Sequence, residues 1–170
     1  ECYFLELLPH IKGEWAKPVY VDGKFSYAKL RLEDWQIFIE FQLFGWVHME
    51  TRLRRFRRSY EEIARKNAKS TLAAVIGNYM LAVDGEFGAE VYSGAPSQDQ
   101  AMEVFRPALL MAKATPIFRQ KYGVVANASN LPVIEKNAKF EPVIGKPGDG
   151  ASPSCAIVDE YHEHKTSELF

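Results

Sequence analysis

The chain has only two cysteines in 170 residues, Cys2 and Cys155, far apart and outside any C-x-x-C pair. That excludes a disulfide-stapled scaffold and suits reduced, buried thiols of a cytosolic protein. No run of about 18 apolar residues occurs, so no membrane-spanning helix is expected and no membrane is a partner. No secretory leader is visible. Charge of one sign is not in excess either: 21 basic against 22 acidic residues leave a net charge of −1. A protein that coats nucleic acid with its whole surface is thereby excluded, and any such contact must come from a local patch. There is no internal repeat and no Ser-His-Asp arrangement. What remains is an ordinary globular balance, 47% hydrophobic and 25% charged, in a chain long enough for one domain with a sizeable core. It begins at Glu1 rather than Met and ends at Leu169-Phe170, which suggests a fragment of a longer protein.

Apolar residues 4–8 predict the end of a helix that stops at Pro9, and residues 11–30 read as loop and turns. Leu32, Trp35, Ile37, Phe38, Phe41, Leu43 and Phe44 recur at mostly helical spacing up to Gly45. Residues 55–63 predict a strand. Ser70 to Val83 predicts a buried helix ended by Asp84-Gly85, and Ala89 to Gly94 a short strand. Gln98 to Ala114 predicts a further helix, and residues 122–142 short strands around Asn127–Asn130 and Asn137. A Gly/Pro/Ser-rich loop over 143–153 leads to an apolar strand at 154–158. Alternating strands and helices predict an α/β fold, a mostly parallel central sheet with helices on both faces.

Two segments about ninety residues apart carry the chemistry. The first is Ile63-Ala64-Arg65-Lys66-Asn67-Ala68-Lys69-Ser70-Thr71. Its last residues fit the phosphate-loop pattern G-x-x-x-x-G-K-[ST] between strand and helix, with Ile63 and Ala68 in the two glycine places. Backbone amides opening the Ser70 helix would face an anion, assisted by the helix dipole. Lys69 would reach the β- and γ-phosphates, the Ser70 hydroxyl would ligate Mg2+, and Arg65 and Lys66 add positive charge. Ala68 adds one methyl near the phosphate, tolerable if the backbone there is helical. The plainer reading is a basic turn capped by Ser70. The second segment, Ala156-Ile157-Val158-Asp159-Glu160, is an apolar strand ending in two carboxylates. Ligands of open parallel sheets bind at the carboxyl ends of strands. Asp159 there could hold Mg2+ beside Ser70, and Glu160 could orient or deprotonate an attacking water. The plainer reading is a strand ending in solvated acids. Together the two segments point to an ATP site.

These residues resemble one family, the large terminase subunit of tailed double-stranded DNA bacteriophages and prophages. The resemblance runs through Leu8 to Trp15, Leu32 to Gln36, Ala64 to Thr71, Gly88 to Ser93 with Gln100-Ala101, Lys139 to Pro142, and Asp159 to Lys165. The family keeps a glycine where Ala68 stands. The resemblance implies a P-loop fold with an additional catalytic strand beside the phosphate loop, ATP and Mg2+ as ligands, and hydrolysis that drives DNA into procapsids. It places Trp35-Gln36 in the adenine-recognising segment, with Gln36 reading the base edge, and brings Arg65 toward the γ-phosphate as a second catalytic group beside Glu160. It implies double-stranded DNA, a small terminase subunit and a portal protein as partners, a homo-oligomeric ring on the procapsid, and the host bacterial cytoplasm as location. It divides the chain into residues 1–50, helical and adenine-recognising, and residues 51–170, the ATPase core, ending before the coupling motif and without the nuclease domain. So cut, the chain is expected to be weakly active or inactive alone. A helicase-like or other P-loop nucleic-acid ATPase, or a non-hydrolysing assembly module, are the alternatives.

The cluster Arg52, Arg54, Arg55, Arg57 and Arg58 could meet DNA phosphates or a neighbouring subunit, but reads first as a solvated edge strand. Arg106 and Arg119 are candidate arginines completing a neighbour's site. His162, Glu163 and His164 lack zinc-ligand spacing. Ser93, Gln98 and Gln100 could sense nucleotide or DNA, or cap the following helix. Trp15, Trp46 and the phenylalanines read as core.

Overall fold

The computed structural model describes residues 2–144 and 152–161. Helix α1 (Cys2–Leu5) is followed by a hairpin, β1 (Pro18–Val21) and β2 (Lys24–Tyr27), then α2 (Asp34–Gly45). After a long irregular stretch come α3 (Lys69–Ala82), β3 (Glu90–Ala95), α4 (Gln98–Ala114) and α5 (Pro116–Tyr122). Strand β4 (Leu131–Val133), a 3-10 turn (Ile134–Lys136), β5 (Ala138–Ile144) and β6 (Cys155–Val158) complete the order. Four strands form one sheet in the order β4-β5-β3-β6. β3 runs parallel to both β5 and β6, and only β4 is antiparallel. The expected α/β architecture with a mostly parallel sheet is therefore present.

Strand β3 is the axis of the core, because it is paired on both edges and buried from Val91 to Ala95. Its inward side, with Phe140 of β5, takes both long helices. Phe105 of α4 meets the Phe140 ring edge-on at 5.5 Å. Gly77 of α3 lies against the same ring, and a methyl at position 77 would stand 2.5 Å from Phe140 Cε1. Asn78 joins the two helices by donating to the Ala108 carbonyl at 3.2 Å. Among the described residues α3 and α4 thus share one face of the sheet. The opposite side carries a polar row, with Tyr92 donating to Glu90 (2.8 Å) and Lys139 to Glu141 (2.8 Å).

Three expectations change. Residues 11–30 are not all loop: Val21 pairs with Lys24 across a two-residue turn in which Asp22 (φ 51) and Gly23 (φ 74) are both left-handed. That is the turn geometry an Asp-Gly pair favours between twisted strands. Residues 55–63 form no strand, since no described strand lies beside them and a strand gains its hydrogen bonds only from a neighbour. The arginine cluster is accordingly no edge strand. Arg54 is partly buried, bonding Asp84 Oδ1 at 2.7 Å and lying over the Phe44 ring, while Arg52, Arg55, Arg57 and Arg58 are exposed. Trp15 and Trp46 are also exposed rather than core, as are Phe25, Phe38, Phe41, Phe56 and Phe87.

Candidate nucleotide site

The helix that follows the phosphate-loop segment forms for local reasons. Residues 69–82 include three alanines and two leucines, which lose little freedom in a helix, and bury Leu72, Val75, Met80 and Leu81. Its first turn leaves backbone N–H groups without intrahelical partners and aims them out of the helix start. Ala68 is the N-cap, at φ 59 and ψ 22. The methyl is therefore carried by a left-handed residue, not a helical one, at a cost of about 1 kcal/mol. Lys66 (φ 70) is also left-handed, and the intervening Asn67 donates from its side chain to the Ala64 carbonyl at 3.1 Å. Residues 64–68 thus curl into a tight loop whose side chains, Arg65 and Lys66 among them, are all exposed.

Strand β6 brings the acidic segment to this loop. Its register against β3 pairs Val158 with Gly94, so Asp159 and Glu160 follow directly at the carboxyl end of β6. Lys69 Nζ lies 3.0 Å from Asp159 Oδ1 and is ion-paired with Glu160. Ser70 Oγ donates to Asp159 Oδ2 at 3.3 Å. Burial pulls the Lys69 pKa down, but its hydrogen bonds to Glu160 and Asp159 and their charges outweigh burial and raise it above the ordinary lysine value. Glu160 is itself left-handed (φ 50), and its N–H donates to Asp159 Oδ1 at 2.9 Å. Lys69, Ser70, Asp159 and Glu160, singled out from two distant segments, therefore meet. Thr71 follows half-buried in the first turn of α3.

The donors fit magnesium. A hydroxyl and a carboxylate oxygen 3.3 Å apart can sit side by side around one small cation that prefers oxygen ligands. Among the described residues no group of three or more His, Cys, Asp or Glu could hold a metal ion, so the remaining ligands would come from water and phosphate.

Beside the loop, α2 and residues 56–67 enclose a cleft of about 730 Å³, lined by Trp35, Phe38, Gln42, Phe56, Tyr60 and Asn67 among others. Its aromatic walls suit a flat ring. Gln36 is only 7% exposed and does not line the cleft. Its Oε1 accepts the Glu33 N–H at 2.9 Å, which closes the start of α2. Phe56, Tyr60 and Tyr161 escaped the sequence reading. The available signal was an aromatic residue shortly before the loop and another directly after Glu160.

The remaining candidates fall elsewhere. Ser93 donates to the Ala101 carbonyl at 3.1 Å, tying β3 to α4, and Ser97 caps α4 by accepting the Gln100 N–H. Arg106 is exposed and Arg119 half-buried. His162, Glu163 and His164 lie outside the described residues.

The family model described as "Terminase large subunit, ATPase domain" matches residues 34–170. The large terminase subunit of Enterobacteria phage HK97 is 30% identical over 101 residues, 58% of this chain and 20% of that protein. Protein YmfN of Escherichia coli K12 is 70% identical over 23 residues, 14% of this chain and 5% of that protein. The crystal structure of the HK97 large terminase superposes with a TM-score of 0.67 at 23% identity, over 92% of this chain and 29% of that one. At that identity the structural match speaks for the P-loop NTPase fold. The chain spans about a fifth of the HK97 protein's length.

Proposed function

Because the chain belongs to the family of terminase large-subunit ATPase domains, we propose that it binds ATP between the phosphate loop and the end of β6 and cleaves the terminal phosphate. The carrying observation is the meeting of Lys69 and Ser70 with Asp159 and Glu160. Lys69 binds the β- and γ-phosphates, leaving its carboxylate partners for a stronger anion. Backbone amides of residues 66–71 cradle the phosphates, and the exposed Arg65 approaches the γ-phosphate. Ser70 and Asp159 would hold Mg2+, which would neutralise charge developing on the phosphates. Glu160 orients the attacking water and accepts its proton. The base enters the aromatic cleft; Gln36, expected to read the base edge, instead holds the start of α2 from outside the cleft lining.

For the whole protein we infer that hydrolysis moves double-stranded DNA into a procapsid. The motor is a homo-oligomeric ring working with a small terminase subunit and a portal protein in the host bacterial cytoplasm. The residue division at 50/51 and weak activity of residues 1–170 alone belong to the same reading. It is tested by titrating a fluorescent ATP analogue with and without magnesium. Magnesium-dependent binding that Lys69→Ala removes is expected. Glu160→Gln is expected to keep binding and lose about 10²–10⁴-fold in hydrolysis. Unchanged turnover in Glu160→Gln would remove its assigned role, and binding indifferent to Lys69 would remove the site.

A further inference from the structure

Asp159, Glu160 and Tyr161 extend beyond the last ladder pair of β6, so the sheet does not fix them. Residues 55–63, which lead into the phosphate loop, are in no described ladder either. Two segments outside the sheet must nevertheless keep Glu160 aligned with the phosphates to a fraction of an ångström. Glu160 also holds a left-handed backbone, a conformation that persists only where its surroundings impose it.

One tether is the ion pair from Lys69 to Glu160. A phosphate competes for that same ammonium, so this tether weakens when substrate is in place. A second tether carries no charge. The Tyr60 and Tyr161 rings meet edge-to-face, with centroids 6.3 Å apart and planes at 82°. This is a favoured aromatic geometry. Tyr161 is the residue directly after Glu160, and Tyr60 lines the cleft beside α2.

We propose that Tyr60 and Tyr161 form a positioning pair that keeps Glu160 in register with the phosphate loop while Lys69 is engaged by phosphate. The proposal rests on the ATPase reading above. It assigns no chemistry to either phenol; the contact is between ring faces and edges, so phenylalanine should serve. Because Tyr60 also borders the cleft, the pair links base occupancy to the position of Glu160.

The test is a double-mutant cycle in the full-length protein, read by steady-state ATP hydrolysis and by the Glu160 amide resonance in NMR spectra. Tyr161→Ala should lower kcat about tenfold with the KM for ATP within about twofold, and Tyr161→Phe should restore it. Tyr60→Ala should lower kcat similarly, and the double variant should be no worse than either single one. Tyr60→Ala should also move the Glu160 amide resonance, although the two residues are 100 positions apart. Multiplying kcat effects, or a Glu160 resonance indifferent to Tyr60→Ala, would overturn the pairing. If the wild-type protein neither binds nor hydrolyses ATP, the ATPase reading fails, and the resonance alone still decides whether Tyr60 positions Glu160.

Discussion

Downstream of the phosphate loop, α3 buries Leu72, Ala74, Val75, Gly77 and Asn78 against α4 and the sheet. Upstream, residues 55–62 expose every side chain and join no described ladder. Both stretches flank the same five-residue curl, yet one is held by packing and the other by scattered side-chain contacts. The difference lies in where each finds its backbone partners. A helix satisfies its own N–H and C=O groups within four residues, whereas a strand depends wholly on a neighbour. A loop with one packed side and one loose side can keep its helix start fixed while the other side adjusts to what binds.

Substitutions can break this contrast or sharpen it. The largest effect is expected on the packed side. Gly77→Ala would place a methyl 2.5 Å from Cε1 and 2.7 Å from Cζ of Phe140, a ring also held by Phe105. Overpacking of about 3 kcal/mol, offset in part by better helix propensity, should leave a net loss of roughly 2 kcal/mol. Thermal melts would show a midpoint lower by about 4–8 °C; an unchanged midpoint would mean that the core yields.

At the junction itself, Ala68→Gly should relieve the left-handed strain and stabilise the protein by about 1 kcal/mol, while tightening phosphate binding. A destabilised variant would mean that the methyl makes contacts worth more than its strain. The next effect is visible only in alkali. The Lys69 pKa is raised in the folded protein above its ordinary 10.5, so its pairing with Asp159 and Glu160 stabilises fully below that pH. The contribution is lost as pH rises through the raised value. Melts from about pH 8 to about pH 11 should therefore show wild type losing its advantage over Lys69→Ala only at the alkaline end. The smallest effect is expected on the loose side, where Arg57→Ala should change stability by less than about 0.5 kcal/mol. A loss as large as that of Gly77→Ala would mean that residues 55–63 are anchored after all.

The same contrast separates what the sequence makes legible from what it does not. α3, β3, α4 and β6 announce themselves through local apolar pattern and their stop signals, and the α3 and β6 boundaries fall within a residue of expectation. The meeting of the two segments is legible because Lys69-Ser70 sits at a helix start and Asp159-Glu160 at a strand end, positions that topology brings together. Residues 55–63 mislead because Phe56, Tyr60 and Ile63 look like strand residues, while the partner that would make them one leaves no mark in the segment. The hairpin is hidden by its four-residue strands, although Asp22-Gly23 is a turn signal. Helix α5 begins at Pro116, which reads as a break but opens a helix at its first position. The left-handed backbone at Ala68 is invisible because the residue that usually advertises it, glycine, is not there.

The cleft beside α2 also decides how this protein can be watched. All three tryptophans are solvent-accessible, Trp15 at 64%, Trp35 at 40% and Trp46 at 45%. None of them sits in the core, so circular dichroism is the more direct measure of its unfolding. Trp35, in the cleft wall, is placed to be quenched by a stacked base. Trp35 would thus report occupancy of the proposed site, while unfolding is better followed by another probe.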